Sequence, residues 1–423
     1  MIGFLVKGLV RDPSRSLFPF LIVALGVMLT VFLHGWLGGV MHDFLDTSAR
    51  FSTGHVRVVT RAYAELEDQF PNDLALVGVD ELLGELRQRE PDLDWVARIR
   101  FAALVDVPNE QGETRAQGQA IGLAADLLSS DNELHTLNVA KALVRGELPS
   151  RAGYVLLSEE LAQRLGLAPG DRLTLISSTM YGGMATGNFL LAGTVRFGVG
   201  PVDRGALLMD LADARQLLDM EDAASEIFGL FRSKVYRDSE AVAVAQRFNR
   251  SRQSDNDEFA PMMLTLGEQQ GLGEYLDYVE TFSGIMVFVF VMAMSLVLWN
   301  AGLLGGLRRH GEVGVRLAIG EDKGHVYRSM LAESACIGIA GSVTGTLLGL
   351  AIVSVLQVKG IDMGRFFKGS SLMIPGIVRA RITPATCYLG FIPGLFSTLL
   401  GTALSGIRIY KRNTAQLFKE FEG

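Results

Sequence analysis

Four stretches of this chain, residues 17–41, 281–307, 334–358 and 382–407, contain no Asp, Glu, Lys or Arg at all. A hydrocarbon layer about 30 Å thick takes roughly 20 helical residues at about 1.5 Å of rise each, so each stretch is long enough to cross it. No other feature restricts the fold as much. In lipid an isolated span satisfies its backbone polar groups only as a helix. The first stretch keeps Phe18, His34 and Trp36 along its length and has no small-residue cleavage site, so it reads as a retained anchor and not as a signal peptide.

The net charge of −7 hides a sharper division. Residues 42–280 hold 38 acidic and 22 basic side chains, and the remainder holds 8 and 17. An acidic folded domain is thus inserted into a membrane part with basic flanks, a balance that excludes nucleic acid as a partner. Lys7, Arg11 and Arg15 precede the first span, and Asp43 and Asp46 follow it, which places the amino terminus in the cytoplasm. The expected order is a cytoplasmic amphipathic segment (1–16), span one (17–41), an outer α+β domain with stalk helices (42–280) and span two (281–307). A cytoplasmic segment (308–333), span three (334–358), an outer loop (359–381), span four (382–407) and a cytoplasmic tail (408–423) complete it. The loop 359–381 carries Lys359, Arg365, Lys368, Arg379 and Arg381 against Asp362, contrary to the charge rule that the first helix dominates.

Within the outer domain, "GHVRVV", "DWVARIRFAALVDV", "AQGQAIGLA", "YVLLS", "DRLTLIS", "FLLAGTVRFG" and "GALLMDL" predict strands. "SEELAQRLGL", "LADARQLLDM" and "DSEAVAVAQRFNRS" predict helices, the first and third opening at Ser with acids in the first turn. This is a mixed α+β domain, read as two lobes. "HDFLDTSARF" is expected to extend the first span as a helix, and "EQQGLGEYLDYVE" (268–280) to run as helix straight into the second.

No G-x-x-x-x-G-K-[ST], H-E-x-x-H, Cys cluster or G-x-S-x-G is present, so neither a catalytic nor a metal site is expected. His34 is the one histidine inside a span, and an interhelical hydrogen bond suits it better than a proton relay, since no span carries a carboxylate. Cys336 and Cys387 lie in different spans and are expected as small buried hydrophobes that do not pair. Gly341, Gly345 and Gly349 recur every four residues, a spacing that lets two helices approach closely. The loop 177–188, "SSTMYGGMATGN", is a hairpin tip with Met180, Tyr181 and Met184 as its candidate contact residues for a partner.

The remaining feature is "RRHGEVGVRLAIGEDKGHVYRSMLAE", residues 308–333, between two spans. Apolar Val313, Val315, Leu317 and Ile319 persist among its charges, as in a short helix that buries an apolar side against another protein.

Glu312, Gly314, Arg316, Ala318, Gly320 and Glu333 resemble the segment between the second and third spans of the MacB, FtsX and lipoprotein-releasing (LolC/LolE) permeases, the type VII ABC transporters. The arginine falls one residue early here, directly after Val315. "VLLSEELAQRLGLAPGDRLTLIS" is similar to the outer-domain pattern of that group, with "VRGELP" before it and "ALLMDLADARQLL" after it. The resemblance implies an α-helical membrane protein with four transmembrane helices and a large MacB-like α+β domain between the first two. It further implies a non-ATPase subunit of an inner-membrane machine of mechanotransmission type. The six residues would couple it to a separate ABC ATPase dimer, which would bind the ATP and Mg while this chain binds no cofactor. The other implied partners are a second permease chain, either a copy or a paralogue, membrane lipid, and a periplasmic carrier or adaptor. Among functions, release of a lipoprotein or similar amphiphile from the outer leaflet stands first. An FtsX-like mechanical regulator of an envelope hydrolase and MacB-like efflux of a hydrophobic compound or peptide stay open.

Overall fold

A computed structural model describes residues 13–109, 111–129, 131–233, 236–252, 257–269, 272–308, 310–363, 366 and 375–411. Most of the expected amino-terminal amphipathic segment and of the basic tail therefore lies outside the described residues. The described residues form two compact units, one of them comprising Asp43–Tyr278 and Asp362–Val378.

Among the described residues four helices are long and apolar enough to cross a membrane, and all but the end of the first belong to the other unit: Leu17–Thr53, Thr281–Asn300, Lys323–Lys359 and Pro384–Ile407. The α-helices run past the uncharged stretches, as Pro13–Ser48, Leu272–Arg308 and Lys323–Lys359. The first ends in a π-helical turn, Ala49–Thr53. The fourth is irregular. Thr383 caps Pro384–Tyr388 through the Thr386 N–H, and a π-helical stretch, Ile392–Ser397, precedes Thr398–Lys411. Pro393 supplies no N–H at the start of that stretch, which suits a local change of hydrogen-bond pattern.

Helix packing in this unit runs through glycine. A Cβ on Gly341 would meet Val23 Cγ1 at 2.7 Å, one on Gly345 the Ala24 carbonyl oxygen at 2.4 Å, and one on Gly349 Val31 Cγ1 at 2.7 Å. Gly390 and Gly394 approach Val27 in the same way, at 2.6 Å each. Val23, Val27 and Val31 thus form a buried stripe, with Leu298 of the second span beside it. His34 Nδ1 lies 3.0 Å from Thr386 Oγ1, the interhelical hydrogen bond expected of it. The cysteines depart from expectation: Cys336 is half-buried and Cys387 exposed.

The second unit is built on one mixed ten-stranded sheet. From one edge run Pro261–Thr265, Val56–Thr60, Glu226–Phe231 and Leu93–Pro108, all antiparallel neighbours. Thr114–Ala125, Ala206–Asp210, Tyr154–Ser158, Met184–Val195 and Leu143–Gly146 follow, and Arg172–Ser178 pairs with both Leu93–Pro108 and Met184–Val195. The two lobes expected from the sequence are therefore joined by a continuous sheet. The reason is one long strand: Leu93–Arg98 pairs with Glu226–Phe231, and Ile99–Pro108 with Thr114–Ala125.

Helix starts follow capping chemistry in part. Ser158 Oγ accepts from the Leu161 N–H at the head of Glu159–Leu165, and Asp210 accepts from the Ala212 N–H at the head of Leu211–Leu218. Asp238–Arg250 does not open at a Ser cap as expected. Arg237 precedes it without a side-chain cap, and Ser239 is already helical, while Asp238 and Glu240 favour the positive helix end. The second stalk also starts later than expected. Thr265 and Glu268 form a reciprocal capping box that closes the 3-10 turn Leu266–Glu268, and the helix begins at Leu272.

The outer loop is not separate from this unit. Within it the Gly376 N–H donates to the Gly198 carbonyl at 2.7 Å, and Val199 pairs with Pro375 in an isolated bridge.

Candidate coupling segment

Residues 310–325 form a helix, a tight turn and the start of the next helix. His310–Ala318 is the short helix. It ends because Gly320 takes φ +97°, a left-handed conformation open to glycine at little cost. The Gly320 N–H donates to the Leu317 carbonyl at 3.1 Å and the Glu321 N–H to the Arg316 carbonyl at 3.0 Å, the paired bonds of a Schellman motif. Arg316 then closes the turn with a two-pronged bond to Glu321, at 2.6 and 2.7 Å. That guanidinium holds the half-buried Glu321 carboxyl below its ordinary pKa. Asp322 starts the next helix by accepting from the Gly324 and His325 N–H groups at 2.9 and 3.2 Å.

The apolar side chains divide by helical period. Val313 is buried, and Leu317, one turn on, packs with it against Val326 and Met330 of Lys323–Lys359. Val315 and Ile319, also one turn apart, face away and are 49 and 82 % exposed. The expectation that all four meet a partner is therefore corrected. Half of them anchor the short helix to its own chain, because positions 313 and 317 point toward the following helix.

Among the candidate coupling residues, Glu312 lies within the short helix, Gly314 is buried on it and Ala318 is exposed. Glu333 lies half-buried two turns beyond Val326. Arg316 and Gly320 both shape the turn. The hairpin tip between Arg172–Ser178 and Met184–Val195 is also divided. Tyr181 and Met184 are 81 and 79 % exposed, but Met180 turns inward against the core and its N–H donates to the Leu218 carbonyl at 2.8 Å, so it is not a free contact residue.

Sequence reasoning missed the most deeply buried charged cluster. Arg98 and Glu133 have no exposed side-chain surface and pair at 3.1 and 3.2 Å. Arg98 also donates to the Arg50 carbonyl, in the π-helical turn Ala49–Thr53, at 2.5 Å and lies 4.6 Å over the Phe228 ring. By period two Arg98 alternates with Ala97 and Ile99 and reads as outward. No local signal reveals that Glu133 and Phe228 cover it. A second cluster joins Arg57 to Glu226 and Glu67. Burial opposes the Arg57 charge, yet the two carboxylates outweigh it and raise its pKa.

Comparison with known proteins bears on both units. The MacB-like periplasmic core domain matches residues 16–246, and the FtsX-like permease C-terminal domain matches residues 284–414. Among solved structures, the periplasmic region of MacB from Actinobacillus actinomycetemcomitans is similar at 9 % identity and a TM-score of 0.35, over 55 % of this chain and 97 % of that one. No curated protein compared with the chain matches it. Four apolar helices, an inserted α+β unit and a helix-turn clasp between the second and third helices describe a membrane permease subunit. The chain belongs to the MacB/FtsX family of ABC transporter permeases, which work with a partner ATPase.

Proposed function

We propose that this chain is the mechanotransmitting permease subunit of an ATP-driven complex in the bacterial inner membrane, with both termini cytoplasmic. Its substrate is an amphiphile, in the first place a lipoprotein, handled at the outer face of the membrane. The observation that supports this reading is the exposure of Val315 and Ile319 on a short helix whose other side is fixed to Lys323–Lys359. A lever needs one face bound to the part that moves and another free for the motor. Glu312, Gly314, Arg316, Ala318, Gly320 and Glu333 shape or flank that lever, ATP and Mg belong to the ATPase, and a second permease chain completes the complex. Tyr181 and Met184 offer a contact point for a soluble carrier or adaptor.

The test is co-purification with the candidate ATPase from detergent, and measurement of its hydrolysis with and without this chain. Replacing Val315 and Ile319 with Asp is expected to abolish both association and any change in hydrolysis, with thermal unfolding unaltered. Unchanged association in that variant refutes the coupling role. Release of a membrane lipoprotein from spheroplasts, present with the parent chain and absent with the variant, tests the substrate.

A further inference from the structure

The α+β unit has a hollow of about 540 Å³ whose lining includes Arg61, Arg250, Arg252, Gln246, Pro261 and Met262. The arginines come from two places far apart in the chain. Arg61 follows the strand Val56–Thr60, and Arg250 and Arg252 lie at the end of Asp238–Arg250. Asn249 fixes that helix end to the edge strand, donating to the Met263 carbonyl and accepting from the Met263 N–H, each at 2.8 Å. Arg252 is also held: it bonds Glu85 at 2.7 Å and lies 4.1 Å over the Phe248 ring. Arg61 and Arg250 are different. Among the described residues neither forms a salt bridge, although the surrounding domain carries 38 acidic side chains against 22 basic ones.

Two guanidiniums without a carboxylate partner, beside a third fixed in place, suit an oxyanion that accepts paired N–H donors. The hollow is larger than an inorganic ion needs and falls within the roughly 300–1,000 Å³ of small-molecule sites. Pro261 and Met262 add apolar surface next to the charges. We propose that this hollow binds an anionic phosphate ester. Arg61 and Arg250 grip the phosphate, Arg252 adds a fixed charge, and Pro261 and Met262 take the organic part. The ester is either a soluble metabolite or the headgroup of an anionic phospholipid. The inference does not depend on the coupling segment and is tested separately from it.

The experiment is isothermal titration of the full-length chain in dodecyl maltoside with inorganic phosphate, glycerol 3-phosphate and dihexanoyl phosphatidylglycerol. Saturable binding of at least one ester, tighter than inorganic phosphate and weakened by salt, is expected. The pair Arg61→Gln and Arg250→Gln is expected to weaken it by about tenfold or more, as loss of charge-assisted pairing implies. Arg61→Lys with Arg250→Lys, which keeps the charge and removes the fork, falls between. Arg151→Gln, at an exposed site on Tyr154, leaves binding unchanged. Tighter binding of the lipid than of glycerol 3-phosphate assigns the headgroup, and the reverse assigns a soluble ester. No saturable binding of either ester, or equal binding in the parent and both double variants, overturns the proposal.

Discussion

Replacing Arg98 with Met would remove a guanidinium with no exposed surface while keeping much of its volume. Two bonds to Glu133, at 3.1 and 3.2 Å, and one to the Arg50 carbonyl, at 2.5 Å, would disappear together. Glu133 is itself fully buried, so its carboxylate would be left without the pairing charge. Removing one partner of a buried ion pair costs about 3–5 kcal/mol, chiefly because the other charge is stranded. The orphaned Arg50 carbonyl adds about 1 kcal/mol. For a unit of this size each kcal/mol lowers the melting temperature by roughly 2–4 °C, so the expected fall is about 8–24 °C. Trp95, buried on the same strand, reports the transition by fluorescence once Trp36 and Trp299 are replaced by Phe. The double change Arg98→Met with Glu133→Leu removes both charges and should recover most of the loss, since an apolar pair of similar volume is often as stable as the ion pair. A single variant melting within about 2 °C of its parent would refute the reasoning on that scale. So would a double variant no more stable than the single one, because the cost would then not come from a stranded charge.

Gly345→Leu should separate the first and third spans, since even its Cβ would meet the Ala24 carbonyl oxygen at 2.4 Å. Overpacking of this kind costs about 1–3 kcal/mol or more, and cysteine crosslinking between the two helices should fall with thermal stability. Gly320→Ala places a Cβ at φ +97° and should weaken the Schellman turn by about 1–2 kcal/mol, read as faster hydrogen exchange at Gly320 and Glu321. The α+β unit should lose stability in acid through His55, whose pKa burial pushes down to about 4, with nearby Asp46 opposing the shift. Its Nδ1 accepts the Phe231 N–H at 2.8 Å, so the folded state needs the neutral ring. Between about 6.5 and 4 the unfolded chain binds the extra proton, so this contribution is complete above about 6.5 and is lost as the pH falls through that window. His55→Gln should flatten that part of the stability profile, and an unchanged slope would remove His55 as its source.

The sequence alone determined the membrane helices, their order and the site of the inserted domain, because a bilayer requires long uncharged runs whatever surrounds them. Glycines every four residues from Gly341 to Gly349 marked a packing face for the same local reason. Period two and the turn residues located most strands, and "GVRLAIGED" carried the elements of the turn that ends the short helix. What lies against what is set by tertiary structure. Only there does Leu93–Pro108 join two expected lobes into one sheet, Val313 separate from Val315, Met180 turn inward, and Pro375 and Gly376 bond back to Val199 and Gly198. Arg98 is the limiting case. A charged residue in an alternating strand reads as solvent-facing, and its burial depends on Glu133 and Phe228, at 35 and 130 positions along the chain. Local pattern records the environment of a residue's own turn or strand, whereas burial of charge depends on partners that only folding brings together.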